Sequence, residues 1–206
     1  MKPARLTREQ SKDQTRERLL NAAQDIFLKK GYVAASVEDI AAAAGYTRGA
    51  FYSNFRSKAE LLLELLERDH SAVQGELQQI FDTGGSREQM ESTVLAYYSR
   101  LFRDDRCFLL WVEAKLQAAR DAKFRVSFNQ FLQDKRAQMA DFIRRFAERA
   151  GTPLLLPPET LALGLMSLCD GVQSYYTADP QNVSADAAEA VLAGFFARVV
   201  FGRSPA

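Results

Sequence analysis

The residues best placed to meet a ligand in a defined pattern lie between Ser36 and Ser53. Two short helical stretches, about 36–44 and 48–55, are joined by Ala44-Gly45-Tyr46-Thr47, with glycine where the chain must turn. The second stretch opens with Thr47, Arg48, Gly49 and Ala50, and Ser53 follows about one turn later. Exposed at the start of a helix, these side chains have the chemistry of base-edge readers. An arginine fork matches the two acceptors of guanine, and Gly49 and Ala50 are small enough for close approach or for contact with a thymine methyl. The same spacing also fits an ordinary corner between two helices.

Other reactive groups are sparse. Glu67-Arg68-Asp69-His70 has the Glu-x-x-His spacing used in di-iron bundles, but such a site needs two of these pairs and His70 is the only histidine. Cys107 and Cys169 stand 62 residues apart, which makes neither a disulfide framework nor a Cys-rich zinc site. There is no Gly-x-Gly-x-x-Gly or Walker loop to hold a nucleotide. The expectation is therefore a protein with no catalytic site, no metal and no cofactor.

The charge distribution points the same way as the short helix pair. The net charge is only +1, yet residues 1–56 carry ten Lys and Arg against six Asp and Glu, while the rest of the chain is mildly acidic. A basic front on an acidic body suits a polyanion held by the N-terminal part alone. Lys2, Arg5, Arg8 and Lys12 precede the first expected helix as an arm for phosphate or the minor groove, or as an ordinary solvated charge run. The N-terminal stretch MKPARLTREQSKDQTRER is polar, unlike a secretory leader. No apolar run approaches the ~18 residues of a membrane span. A cytoplasmic protein with reduced thiols and no membrane partner is expected.

Proline placement sets the fold class. No proline occurs among the 149 residues between Pro3 and Pro153. An interior proline costs a helix about 3 kcal/mol, so helical chains exclude it. That stretch reads in helical period throughout, and the fold is expected to be all-α with about nine helices. The first spans about 15–30, with Leu19, Ala23, Ile26 and Phe27 as its stripe. Ser36 caps the second, and Glu38 and Asp39 in its first turn suit the helix dipole. Ser57 and Glu60 form a capping box at the start of the fourth. The fifth carries Met90, Val94, Tyr97 and Leu101, and a charged corner covers 103–106. The sixth, about 107–120, begins CFLLWV, apolar on every side as in a central buried helix. The seventh aligns Phe124, Phe128, Phe131, Lys135, Met139, Phe142 and Phe146. The eighth starts near Pro158, and the ninth spans about 184–201.

The run DIAAAAGYTRGAFYSNFRSKAELL (39–62), together with RLLNAAQDIFLKKGYVAASVEDIA (18–41), resembles the DNA-binding segment of the TetR/AcrR family of bacterial transcriptional regulators. LCDGVQSYYTADP (168–180) is similar to an Asp-Gly…Asp-Pro pattern of that family's C-terminal domains. The resemblance implies a helix-turn-helix domain at 1–60, with the reading pair at 36–55, and a ligand-binding and dimerisation domain at 61–206. It implies that Tyr52 and Lys58 clamp phosphate, that Ser36 bonds a phosphate while capping its helix, and that Thr47, Arg48, Ala50 and Asn54 line the groove. Asn54 stands where many members have histidine. Phe51 and Phe55 fall to the core.

A single short reading helix makes few contacts, and a symmetric dimer doubles them. Gly164, Leu168, Gly171 and Tyr175 share one face of the eighth helix; Ala187, Val191, Gly194 and Arg198 share one face of the ninth. Glycine inside a helix costs roughly 0.5–1 kcal/mol, so three at this spacing suggest close helix approach, between subunits or within one. The resemblance implies the first, a homodimer. It also implies an effector cavity among helices 4–8, for which Trp111, Phe128, Phe131, Met166 and Tyr175 are the expected walls and Glu113 a polar anchor. For most of the large apolar groups there, plain core packing serves as well. His70, on the fourth helix, is expected at the surface. The function expected is a repressor that binds a palindromic operator as a dimer and is released by a small, largely apolar effector; the alternatives are a DNA-binding regulator without a ligand and a helical-bundle enzyme.

Overall fold

The structure, a computed structural model, describes residues 7–84, 86–102, 105–151, 153–196 and 198. Lys2, Arg5, Gly85 and Phe201 lie outside the described residues, as do the side chains of Tyr97, Tyr98, Leu101 and Phe102. Among the described residues there are nine α-helices and no strand. They are α1 (Arg8–Lys30), α2 (Val37–Ala43), α3 (Arg48–Tyr52), α4 (Lys58–Thr83), α5 (Arg87–Phe102), α6 (Asp105–Arg120), α7 (Ala122–Ala150), α8 (Pro158–Ala178) and α9 (Ala185–Phe195).

Capping chemistry explains most of the boundaries. The start of α1 lies seven residues before the expected one, because Thr7 and Gln10 form a reciprocal capping box. Arg8 and Lys12 are therefore helical and not part of an arm. Ser36 and Asp39 form the same kind of box at α2. At α4 the Ser57 hydroxyl accepts the Glu60 N–H (3.1 Å), but the Glu60 carboxylate reaches past it to the Arg56 N–H (2.7 Å). The Ser184 hydroxyl caps α9 by accepting the Ala187 N–H (3.1 Å). Helix α6 starts at Asp105, inside what reads as a charged corner, and it is not buried all round. Leu110 and Ala114 are buried, whereas Leu109 and Leu116 are exposed. An apolar run of six residues covers more than one full turn, so it marks all sides of a helix whether or not each is covered.

The chain divides into two units. One runs through Asp69 and takes in Leu109–Phe128; the other comprises His70–Phe108 and the chain from Asn129 onward. In the first, α1 packs on α2 and α2 on α3. Its buried residues include Leu19, Leu20, Phe27, Ile40, Phe51, Phe55 and the Leu61, Leu62, Leu65 and Leu66 set of α4. The second has its own core of Leu77, Met90, Val94, Met139, Phe142, Ile143, Phe146, Leu161, Leu165 and Phe196. A smaller cluster of Ala188 and Leu192 joins α9 to α8, with Leu168, Val172 and Tyr176 against it. No helix among the described residues is long and apolar enough to cross a membrane.

The turn from α2 to α3 depends on Gly45, whose φ is +76°. Its N–H donates to Ala42 O, and the next N–H, of Tyr46, reaches Ala41 O (2.8 Å). A Cβ at Gly45 meets nothing within 4 Å, so backbone strain is the whole cost of a side chain there. Gly45→Ala is expected to destabilise the first unit by about 1–2 kcal/mol. Gly45→Asn should lose less, because asparagine tolerates the left-handed region. Denaturant melts of the three proteins test the order.

Candidate nucleic-acid interface

Helix α3 has five residues, too few to be stable alone, so its pose is set by what holds it. The Thr47 hydroxyl caps it by accepting the Ala50 N–H (3.3 Å). Phe51 and Phe55 are fully buried, and their rings pack 5.7 Å apart. That orientation leaves Thr47, Arg48, Gly49 and Tyr52 exposed, with Ala50 half-buried beside them. Tyr52 keeps 48% of its surface in solvent although it is large and aromatic. The Arg48 guanidinium pairs with Glu38 of α2 (Nη1–Oε1 2.8 Å) and lies 5.5 Å from the Tyr52 ring. Both partners are well exposed, so the pair is worth about 0–1 kcal/mol and Arg48 is released cheaply. Asn54 differs from its expected place at the groove. Its amide turns back to donate to Ala50 O (2.8 Å), and its Oδ1 is buried with no hydrogen-bond partner.

Arg16 of α1 fixes α3 from behind. It forks onto Glu64 of α4 through Nε (2.6 Å) and Nη2, donates from Nη1 to Asn54 O (2.6 Å), and stacks 4.3 Å from the Phe55 ring centre. One guanidinium thus joins α1, α4 and the carbonyl just beyond α3. Nothing local in the sequence marks it, because its partners are 38 and 48 residues away.

The segment before α2 is held equally closely. The Ser36 N–H donates to Asp39 Oδ2 and the Asp39 N–H to Ser36 Oγ, both at 3.0 Å. Lys30 donates to Asp39 Oδ1 (2.8 Å). These bonds, that from Lys30 first, hold the Asp39 carboxyl down at about 2. Lys58, expected on a phosphate, instead donates to the carbonyls of Tyr32 (2.5 Å) and Ala35 (2.6 Å), with Val33 O at 3.5 Å. Burial pushes its ammonium below the usual lysine range, and the Glu113 carboxylate offsets part of that.

The residues expected around an effector fall in both units. Trp111, Glu113 and Phe128 belong to the first, with the Trp111 and Phe128 rings 6.1 Å apart. Phe131, Met166 and Tyr175 belong to the second, where Phe131 is buried and Tyr175 is 70% exposed. Glu113 is not a free anchor, since its Oε1 accepts the Tyr32 N–H (3.0 Å). In the second unit a cavity of about 710 Å³ lies between α4 and α7, lined among others by His70, Gln74, Leu77, Gln138, Met139 and Phe142. His70 is half-buried and not at the surface. Its Nε2 meets Gln138 Oε1 at 2.7 Å, its ring edge meets Phe131, and burial holds its pKa below the usual histidine value. Among the described residues no group of three or more His, Cys, Asp or Glu is placed to hold a metal ion.

Of the expected dimer seam, Val191, Gly194 and Arg198 are exposed, and Gly164 and Gly171 are half-buried. Among the described residues, a Cβ at Gly171 or Gly194 meets nothing within 4 Å, and at Gly164 only Phe195 at 3.7 Å. Close packing inside the subunit does not require these glycines. Leu168 is partly buried against the Ala188 and Leu192 cluster.

Residues 19–65 match the family model described as bacterial regulatory proteins, tetR family, and residues 86–200 match that of the BetI-type transcriptional repressor C-terminal domain. Similar curated proteins include the HTH-type transcriptional activator FasR of Mycolicibacterium smegmatis, 33% identical over 103 residues, which are 50% of this chain and 47% of FasR. The HTH-type transcriptional regulator TtgR of Pseudomonas putida is 36% identical over 107 residues, 50% of this chain and 49% of TtgR. The chain thus spans about half the length of the curated relatives it matches. Among solved structures, the complex of triclosan with SmeT, the repressor of the Stenotrophomonas maltophilia efflux pump SmeDEF, superposes with a TM-score of 0.69. That match has 26% identity and covers 90% of this chain and 91% of SmeT.

Removing the Arg16 guanidinium leaves Glu64 and the Asn54 carbonyl without their partner. Arg16→Met is expected to cost the first unit about 1.5–3 kcal/mol, the usual range for hydrogen bonds to charged groups. The double variant Arg16→Met/Glu64→Leu should recover part of that loss. Chemical denaturation of the single and double variants checks both expectations.

Proposed function

The chain belongs to the TetR family of bacterial regulatory proteins, and we propose that it is a repressor that grips a palindromic operator as a dimer and lets go when an apolar effector binds. The observation that carries this is the split of α3. Its aromatic residues Phe51 and Phe55 are locked into the core, while Thr47, Arg48, Gly49 and Tyr52 are exposed. In this reading 1–60 is the DNA-binding domain, with the helix-turn-helix at 36–55, and 61–206 carries effector binding and dimerisation.

The roles follow from the groups. Arg48 leaves Glu38 and forks onto guanine, and Gly49 and Ala50 let the backbone approach the bases. Thr47, Ser36 and Tyr52 give neutral hydroxyls to the groove edge and to phosphates. Asn54 acts from the end of the helix, once its amide swings off Ala50 O. Lys58 contributes a positive charge at the start of α4 and holds the carbonyls that lead into Ser36. A repressor is favoured by the match of residues 86–200 to a repressor-type C-terminal domain. The effector class is supported by the triclosan complex of SmeT and by the aromatic content of the chain beyond residue 60. The regulator works where the DNA is, in the cytoplasm, and needs no cofactor.

Duplexes selected from a random library by the full chain should share a palindrome with half-sites about one helical turn apart. On such a duplex, Arg48→Ala should lose about 1–3 kcal/mol of discrimination at one base pair per half-site. Tyr52→Phe should weaken all duplexes alike and leave the salt dependence unchanged, because a neutral hydroxyl displaces no counterion. Fluorescence anisotropy at several salt concentrations separates the two, and no binding to any duplex at low ionic strength refutes the reading.

The seam proposal puts Gly164, Leu168, Gly171, Val191, Gly194 and Arg198 of two copies in one four-helix contact. Gly171→Leu is expected to halve the mass seen by light scattering while leaving the helical circular dichroism unchanged, since a Cβ there meets nothing within 4 Å among the described residues. A dimer of unchanged affinity would refute this seam.

A further inference from the structure

The turn between α1 and α2 is held from two other helices, and one of its holders comes from far along the chain. Gly31 ends α1 with φ +77°, and its carbonyl accepts the Ala35 N–H (3.2 Å) to close the turn. The Tyr32 and Ala35 carbonyls are spent on Lys58 of α4, whose ammonium also sits 4.4 Å from the Tyr32 ring centre. The Tyr32 N–H faces the other way and donates to Glu113 Oε1 of α6 at 3.0 Å. A Cβ on Gly31 would come within 3.1 Å of that same oxygen, so the carboxylate is seated against bare backbone. The Tyr32 hydroxyl is raised to about 12 by burial and by the charges of Asp121 and Glu113.

We propose that Glu113 is a positioning residue for the DNA-binding face: through the Tyr32 N–H, α6 sets the pose of residues 31–35, and so of Ser36 and the start of α2. The inference rests on the operator reading given above and names the point at which α6 acts on it. Glu113 touches no DNA in this scheme. It holds a backbone N–H that otherwise has to find water, in a turn whose carbonyls are already committed. Withdrawal of α6 removes the acceptor of the Tyr32 N–H. A displacement of α6 is thereby felt at Ser36 without any change in α3 itself.

The test uses the full chain with Glu113→Leu, which removes the acceptor at similar volume, and Glu113→Gln, which keeps an acceptor oxygen. Amide hydrogen exchange reads the turn directly. Tyr32 exchange should rise by about tenfold or more in Glu113→Leu and stay near wild type in Glu113→Gln, with Leu19 and Leu20 unchanged in both. Affinity for a duplex selected by the wild-type chain should fall by about tenfold in Glu113→Leu and be largely rescued in Glu113→Gln. Unchanged Tyr32 exchange in Glu113→Leu overturns the proposal, as does a loosened Tyr32 with undiminished DNA affinity, or a Glu113→Gln protein as weak as Glu113→Leu. If Glu113→Leu also loses protection at Leu19 and Leu20, Glu113→Asp replaces it, which keeps the carboxylate but withdraws it from the Tyr32 N–H by one methylene. Loss of protection confined to Tyr32 and its neighbours then supports the proposal, and none overturns it. Should the wild-type chain select no duplex, the operator reading fails by itself, and the exchange data still decide whether Glu113 holds the turn.

Discussion

A five-residue helix has no stability of its own, and the DNA-facing part of this protein depends on the guanidinium that pins it. Arg16 binds Glu64, the Asn54 carbonyl and the face of Phe55 at once. Each contact uses a different property of arginine: the fork for the carboxylate, a spare N–H for the carbonyl, and the flat face for the ring. Lysine has the charge but neither the fork nor the face. With α3 pinned at its C-terminal end by Arg16 and capped at its N-terminal end by Thr47, the buried Phe51 and Phe55 leave only one orientation for Arg48 and Tyr52.

The α1–α2 turn is organised by the same logic on a smaller scale. Its carbonyls, which a short turn leaves without partners, are satisfied by one lysine, and its free N–H by one glutamate. A half-buried ammonium is tolerable because three oxygens surround it and a carboxylate lies near. The consequence is that two long elements, α4 and α6, both end their influence on the residues just before Ser36. Leu109–Phe128 groups with the N-terminal helices, and Glu113 is the polar tie within that grouping.

Much of this was legible from the residues, and the exceptions share a cause. The proline-free stretch, the glycine at 45 and the hydroxyls at 36, 47 and 57 are local signals, and helices begin and turn where they predict. Helix α1 starts early because Thr7-x-x-Gln10 is also such a signal, set within a charged run that reads as solvated. Phe51 and Phe55 are core because their spacing admits nothing else. Arg16, Lys58 and Glu113 were opaque for a different reason. Their partners lie 23 to 81 residues away and are often backbone atoms, which carry no residue identity. Glu113 looks like a carboxylate at the end of an apolar run, and only the folded chain shows that a peptide N–H waits for it. The family resemblance supplied the role of α3 but not these supports.

The charge pattern constrains how such a head can bind DNA. Residues 31–55 hold one cation, Arg48, against Glu38 and Asp39, and Asp39 stays ionised because Lys30 and Ser36 hold it. The N-terminal excess of positive charge therefore resides in residues 1–30. In the proposed reading the helix pair itself brings one cation, Arg48, to the duplex, and counterion release by that pair is correspondingly small. In that reading the neutral donors Ser36, Thr47 and Tyr52 join Arg48 at the duplex, and their hydrogen bonds demand accurate placement and do not fade gradually with distance as a Coulomb attraction does. Accurate placement is what the Arg16 and Lys58 ties provide. On the role proposed for Glu113, the same demand makes the head sensitive to small displacements of α6.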